Sequence, residues 1–208
     1  MYEKLGQFID GKWQQSSDKG TYEVINPATE EIIGHASKAT SDDVERALQS
    51  AKKGLEVWKK TPPWQRSYII RRIADRIREK QDVLAKWMTL EVGKPLAEAK
   101  GEINGAADIF EWNAEETKRI FGQTVESRFE DTRVHVYYQP VGVVAGLSPW
   151  NFPLVLSARK ISTALAAGCS VIIKPDVITP GVVMEMVDIC RECGVPPGVV
   201  NLLSGDPP

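Results

Sequence analysis

Four residues in the last third of the chain combine reactive side chains with informative neighbours: Asn151, Arg159, Lys160 and Lys174. Asn151 sits in Ser148-Pro149-Trp150-Asn151-Phe152-Pro153, a cluster with turn chemistry. A carboxamide N–H fixed in place before charge develops stabilises an oxygen that turns anionic. Losing one such donor costs about 3 kcal/mol in a transition state. The plainer reading is a turn asparagine, since Asn favours turns and helix starts for backbone reasons alone. Lys174 closes the β-branched run Ser170 to Ile173. Its ammonium is either a donor to ribose hydroxyls or an exposed charge at a strand end. Arg159, in the helix after the Asn151 turn, is by itself a solvent-facing helix charge. Lys160 carries the same helix-charge reading. Cys190 and Cys193 make a CxxC, but they fall at the end of an expected helix, where the dipole raises a thiol pKa. No second CxxC or histidine cluster accompanies them. With Cys169, at a helix–strand junction, they read as small core or surface residues.

The elements that must position these residues can be read from the same stretch. Val141 to Leu147 is an apolar, Val- and Gly-rich run, as expected of a buried strand. Pro153 suits the first turn of a helix, where its absent N–H is no loss. Leu154, Ile161 and Leu165 share one helical face, and Gly168 ends the run. Ser170 to Ile173 is a second strand. A helix from about Thr179 to Cys193, a Gly-Val-Pro-Pro-Gly stop and a strand from Val199 to Leu203 follow. Two strand–helix–strand units in succession give a parallel, doubly wound α/β sheet with right-handed crossovers. Such sheets bind ligands beyond the carboxyl ends of their strands, where Asn151 and Lys174 both fall.

At these residues the chain resembles the NAD(P)-dependent aldehyde dehydrogenase superfamily. The resemblance is carried by SPWNFP (148–153), Arg159-Lys160, ALAAGCSVIIKP (164–175), Thr179-Pro180 and GVPPGVVNLLSG (194–205), with NPATEEIIG (26–34) and EVGKPLAEAKGEI (91–103) in support. Each piece alone is weak, and the ordered set is specific. It covers essentially the whole chain but only the first part of the family's length. It implies the N-terminal part of a coenzyme-binding domain with preceding helices and a projecting β oligomerisation segment. The divisions are 1–121 (β layer and helices), 122–140 (β segment) and 141–208 (first part of the sheet). It implies that Asn151 shares an oxyanion with the backbone N–H of a nucleophilic cysteine. Lys160 would lie near the catalytic centre, assisting proton movement or orienting the site. Leu147, Ser148, Pro149, Trp150, Lys174 and Val177 would line NAD or NADP. Arg159 matches an arginine of relatives acting on carboxylated aldehydes. Many relatives place a glutamate where Val177 stands, to accept from the adenine ribose. Valine neither accepts that bond nor repels a 2′-phosphate, so coenzyme preference stays open. Asp176, on a turn, is expected to point elsewhere.

The remaining chain is read as follows. Gln7 to Gln14, around Asp10-Gly11, is a hairpin, and with Thr21 to Ile25 and Glu31 to Ala36 it makes a small β layer at the domain edge. Ser41 caps a helix whose inward stripe is Val44, Leu48, Ala51, Leu55 and Trp58, and Pro62-Pro63 breaks it. Trp64 to Lys80 is a helix with Ile69, Ile70, Ile73 and Ile77 inward. Its Arg66, Arg71, Arg72, Arg76 and Arg78 form a solvated face paired with acids. Asp82 caps a third helix that ends at Gly93. A fourth runs from Pro95 to about Phe121, with Ile103, Ala107, Phe110 and Ala114 inward. Arg133 to Tyr138 is strand-like but too polar for a central strand. Such an edge is covered or used for association, and the resemblance implies pairing with another subunit as a dimer or tetramer.

Composition sets bounds. The 208 residues are 42% hydrophobic and 26% charged with net charge −2, ordinary for a globular chain able to bury roughly 70% of its unfolded surface. Nothing favours nucleic-acid binding. No apolar run reaches membrane-spanning length, and Met1 to Trp13 lacks a signal-peptide pattern. Three cysteines make no disulfide framework, so a reducing cytoplasm is the default. The family's cysteine nucleophile, its glutamate base and most of the aldehyde pocket are expected beyond Pro208. A pyrophosphate turn would begin near Gly205, with Pro207 where relatives have glycine. The chain is therefore expected to be inactive alone, with one sheet face bare unless it dimerises. The alternative is an inactive short assembly or regulatory module of the same fold.

Overall fold

The computed structural model describes residues 6–206. The expectations for Met1 to Leu5 and for Pro207 lie outside the described residues. Strand β1 (Gln7–Ile9) turns at Asp10-Gly11 into β2 (Lys12–Gln14). Both turn residues have positive φ, 54° and 76°, which matches the right-handed twist of a two-residue hairpin. The hairpin is not part of a separate edge layer, as the sequence suggested. β1 pairs antiparallel with β9 (Val200–Leu202), Phe8 opposite Leu202, and so extends the main sheet. Gln7 locks this junction: its buried carboxamide donates to Ser37 O and Ser204 O, both at 3.0 Å, and accepts from Ser204 N at 2.7 Å. Of the expected edge layer, β3 (Thr21–Ile25) and β4 (Ile32–Ser37) pair with each other as a two-stranded sheet apart from the main one.

Helix α1 (Ser41–Trp58) is capped by Thr40, not Ser41, in a reciprocal capping box with Asp43. Its buried face is Ala47, Ala51, Gly54 and Trp58, whereas Val44 is 49% exposed and Leu48 and Leu55 are half-buried. The expected stripe is rotated because α1 lies almost on backbone. A Cβ on Gly54 would stand 2.2 Å from the carbonyl carbon of Gly198, so only glycine fits at this point of the face.

Helices α2 (Pro63–Glu79), α3 (Gln81–Val92) and α4 (Leu96–Glu116) follow, and a 3-10 turn (Thr117–Arg119) ends α4 short of Phe121. The inward isoleucines of α2 and Ile103, Ala107, Phe110 and Ala114 of α4 are all buried in one core. Arg71, Arg76 and Arg78 pair with acids of neighbouring helices, and Arg72 lies over the Tyr68 ring. Arg66 departs from the expected solvated face: it is buried and donates to Thr61 O (2.7 Å) and Ala166 O (3.4 Å), tying α2 to the chain at residue 166. Asp82 does not cap α3, whose N-cap is Lys80. It pairs with Lys100 instead (2.7 Å).

Strands β5 (Gln123–Glu126) and β6 (Arg133–Val136) pair only with each other among the described residues, and every residue in them is exposed. The last third forms β7 (Val143–Leu147), α5 (Pro153–Ala166), β8 (Ser170–Lys174), α6 (Pro180–Glu192) and β9. Val141 lies outside β7 and is 90% exposed. β7, β8 and β9 are parallel, and the five-stranded order is β2-β1-β9-β8-β7. α1 covers one face, reached by Ser170 Oγ through Ala51 O (2.8 Å). On the other face the Gly146 backbone lies against Lys160 of α5.

Candidate active site

The site is built on two crossovers. β7 and β8 stay in register to the pair Leu147–Lys174, and Ser148 N adds one further bond to Lys174 O (3.0 Å). The chain then leaves the sheet. Ser148 is buried and its hydroxyl lies 2.9 Å from the Ser157 hydroxyl, so this side chain anchors the loop to α5. Pro149 and Asn151 are exposed, with Trp150 and Phe152 about half exposed beside them. The Asn151 carboxamide has no hydrogen-bond partner among the described residues, while its backbone is held firmly. Lys94 Nζ donates to Asn151 O at 3.0 Å.

That lysine belongs to a group that reading of the sequence missed. Lys94 also pairs with Glu102 and lies 4.0 Å from the Phe152 ring centroid. Glu102 Oε1 in turn accepts from Leu154 N (3.0 Å) and Val155 N (3.2 Å), the first two N–H groups of α5. Pro153 opens α5 and Phe152 offers no side-chain cap, so a carboxylate from α4 does the capping. α6 repeats the device: it opens on Pro180, and the amides of Gly181 (2.6 Å) and Val182 (3.1 Å) donate to Glu91. Both acids are buried. The signal was present, because Glu102 interrupts the buried α4 stripe of Ala99, Ile103 and Ala106. A carboxylate on such a stripe needs a partner.

The predicted residues fall around two grooves. Leu147 and Lys174 line one of ≈ 630 Å³, with Val44, Leu48, Ala145 and Ile172 among its apolar residues and Thr40, Ser41, Ser204 and Asp206 among its polar ones. Lys174 Nζ is half-buried and makes one long bond, to Pro175 O at 3.4 Å, which leaves donors for a polar ligand. Val177 is half-buried in the next turn. Asp176 closes that turn by accepting from Ile178 N (3.1 Å), so its carboxylate is occupied locally. Phe152 and Arg159 line the second groove, ≈ 470 Å³, with Lys94, Glu98 and Val155. Arg159 is exposed and forms no ion pair among the described residues. The Asn151 loop joins the two grooves, running from Leu147 in one to Phe152 in the other.

Lys160 is placed differently. Its ammonium donates back to Leu156 O (3.1 Å), and its stem packs on Gly146, where a Cβ would come within 3.3 Å of Lys160 Cβ. The three cysteines are buried, and burial pushes the Cys190 and Cys193 thiols up, away from the thiolate form. Among the described residues no cluster of His, Cys, Asp and Glu suits a metal ion, and no helix is long and apolar enough to cross a membrane.

A family model described as the aldehyde dehydrogenase family matches residues 13–208. Glutarate-semialdehyde dehydrogenase of Pseudomonas putida is 43% identical over 198 residues, covering 95% of this chain and 41% of the relative. The NADP(+) succinate-semialdehyde dehydrogenase of Escherichia coli is 41% identical over 197 residues, with the same coverage of 95% and 41%. The crystal structure of betaine aldehyde dehydrogenase from Staphylococcus aureus in complex with NAD+ superposes with a TM-score of 0.95 at 36% identity, covering 97% of this chain and 41% of that one. The chain thus spans about 41% of the length of these relatives.

Proposed function

The chain belongs to the aldehyde dehydrogenase family, and from that premise we propose that it supplies the coenzyme groove and the oxyanion carboxamide for NAD(P)-dependent oxidation of an aldehyde to a carboxylic acid. The observation that carries the reading is the Asn151 side chain, unpartnered among the described residues, on a backbone pinned by Lys94 in the loop between Leu147 of one groove and Phe152 of the other. Its N–H would meet the aldehyde oxygen as that oxygen gains charge. Preorganisation makes such a donor worth about 3 kcal/mol. Bound NAD or NADP would accept the hydride. Lys174 suits its ribose hydroxyls, because an ammonium with spare donors is among the residues lining this groove. The amides at the starts of α5 and α6 are taken by Glu102 and Glu91, so a pyrophosphate would have to rest elsewhere.

Arg159 is read as the clamp for a carboxylate at the far end of the substrate. Two relatives named for glutarate and succinate semialdehydes, each with such a carboxylate, support this choice. Lys160 is read as orienting the α5 side of the site, its stem seated on Gly146. The buried cysteines are unsuited to attack an aldehyde, so the nucleophilic thiol is assigned to residues outside these 208, and the 208 residues alone are expected to be inactive. The exposed β5–β6 ribbon is read as an association edge for a second subunit.

The test replaces the matching segment of the Escherichia coli succinate-semialdehyde dehydrogenase with residues 13–208 and measures coenzyme reduction with succinate semialdehyde. The reading expects turnover. A chimera that folds and assembles like its parent yet reduces neither coenzyme overturns it.

A further inference from the structure

Lys94 and Glu102 have no assigned effect on turnover in the reading above, yet together they hold the loop that carries Asn151. The ammonium of Lys94 has three N–H donors, and each has a receiver: the Glu102 carboxylate, Asn151 O and the face of Phe152. Glu102 spends its second oxygen on the amides of Leu154 and Val155. The Lys94 and Glu102 side chains are only 10% and 1% exposed. A charge pair this deep survives only when its remaining donors and acceptors are satisfied. Here they are satisfied by the main chain on either side of the candidate oxyanion residue, at positions 151, 154 and 155.

The other end of the loop is fixed separately. Ser148 is tied to Lys174 O and to the Ser157 hydroxyl. Between these anchors the backbone has little freedom, and Asn151 has only two side-chain torsions left to set. The buried pair therefore fixes the backbone from which the carboxamide projects, without touching the carboxamide itself.

We infer that Lys94 and Glu102 are a positioning pair for Asn151: Glu102 fixes the start of α5, and Lys94 couples that fixed start to the Asn151 carbonyl. The inference rests on the oxyanion reading of Asn151 for its catalytic consequence, and on the geometry alone for its structural one. Geometry tighter than about 1 Å separates a working donor from a poor one, so slackening this loop costs turnover rather than substrate affinity.

Two measurements separate the structural and catalytic parts. The first uses the 208-residue chain itself, labelled with ¹⁵N and ¹³C, and follows amide exchange at Leu154 and Val155 together with the carbonyl ¹³C shift of Asn151. Hydrogen bonds to a carboxylate contribute about 1.5–3 kcal/mol, so Glu102→Gln should raise exchange at both amides by roughly tenfold or more. Lys94→Met should leave those amides protected while moving the Asn151 carbonyl signal. Lys94→Arg, which keeps the cation, should restore it. Unchanged exchange in Glu102→Gln and an unmoved carbonyl in Lys94→Met would overturn the positioning pair.

The second measurement carries Lys94→Met, Lys94→Arg and Asn151→Ala into the chimera. Lys94→Met should lower kcat about tenfold with KM within twofold, and Lys94→Arg should recover most of the loss. Loss confined to KM, or no rescue by arginine, would overturn the pair. If Asn151→Ala leaves kcat intact while the exchange and carbonyl results hold, the oxyanion reading fails and the structural device stands.

Discussion

Gly54→Ala on α1 is expected to destabilise the chain, although alanine is the better helix former. On an open helix surface the exchange gains about 1 kcal/mol. At Gly54 the new Cβ would stand 2.2 Å from Gly198 C, 2.4 Å from Val199 N and 2.5 Å from Gly198 O. Carbon atoms rest at about 3.5 Å, so the two segments must part by roughly 1 Å. The opposing backbone is not free to retreat. Asn201 Nδ2 donates to Gly198 O (2.7 Å) and Val171 N to Val199 O (2.8 Å). α1 must therefore lift, loosening Ala47, Ala51 and Trp58, at a cost near the upper end of overpacking, about 3 kcal/mol. The net loss is about 2 kcal/mol. Gly101→Ala on α4 is the matched control: its Cβ meets nothing within 4 Å, so it should gain up to about 1 kcal/mol. Urea unfolding of the two variants reads opposite signs. A Gly54→Ala chain as stable as its parent would refute the close-approach account of α1, and with it the reason for the rotated helix face. Because Val44 and Leu48 line the Lys174 groove, the same variant should also loosen that groove.

Two further outcomes follow from particular side chains. Val177→Glu in the chimera should shift the coenzyme ratio toward NAD by tenfold or more, since a carboxylate there accepts from a 2′-hydroxyl and repels a 2′-phosphate; competition between NAD and NADP measures it. Lys118 and Arg71 beside Glu115 hold its carboxyl down, from an ordinary 4.5 to about 2. A depressed acid adds stability above its unfolded pKa and loses it as pH falls through the folded one, so this contribution should fade between about pH 4.5 and pH 2. Glu115→Gln should flatten that part of the curve of unfolding midpoint against pH.

The parallel units were legible because their signals are local and agree. Proline begins both helices, glycine ends them at Gly168 and Gly194, and β-branched runs lie between. The inward face of α2 was legible for the same reason. The face of α1 was not, because hydrophobicity pointed to Val44 and Leu48 while a backbone approach at Gly198 demanded Ala and Gly. Gln7 joining the hairpin to β9 spans 197 residues of sequence, which periodicity does not report. In the site, Asn151, Arg159 and Lys174 stand out by type and context. Glu91 and Glu102 work through main-chain amides of α6 and α5, and only the oddity of an acid on a buried helix face hinted at them.

One pinned carboxamide, Asn151, is proposed to meet an oxygen whose charge appears only in the transition state. The direct measurement is the ratio of kcat for Asn151 and Asn151→Ala in the chimera, with succinate semialdehyde and saturating coenzyme. The account predicts a fall in kcat of about 100-fold or more with KM nearly unchanged. A kcat within threefold of the parent, or a loss carried wholly by KM, would contradict it.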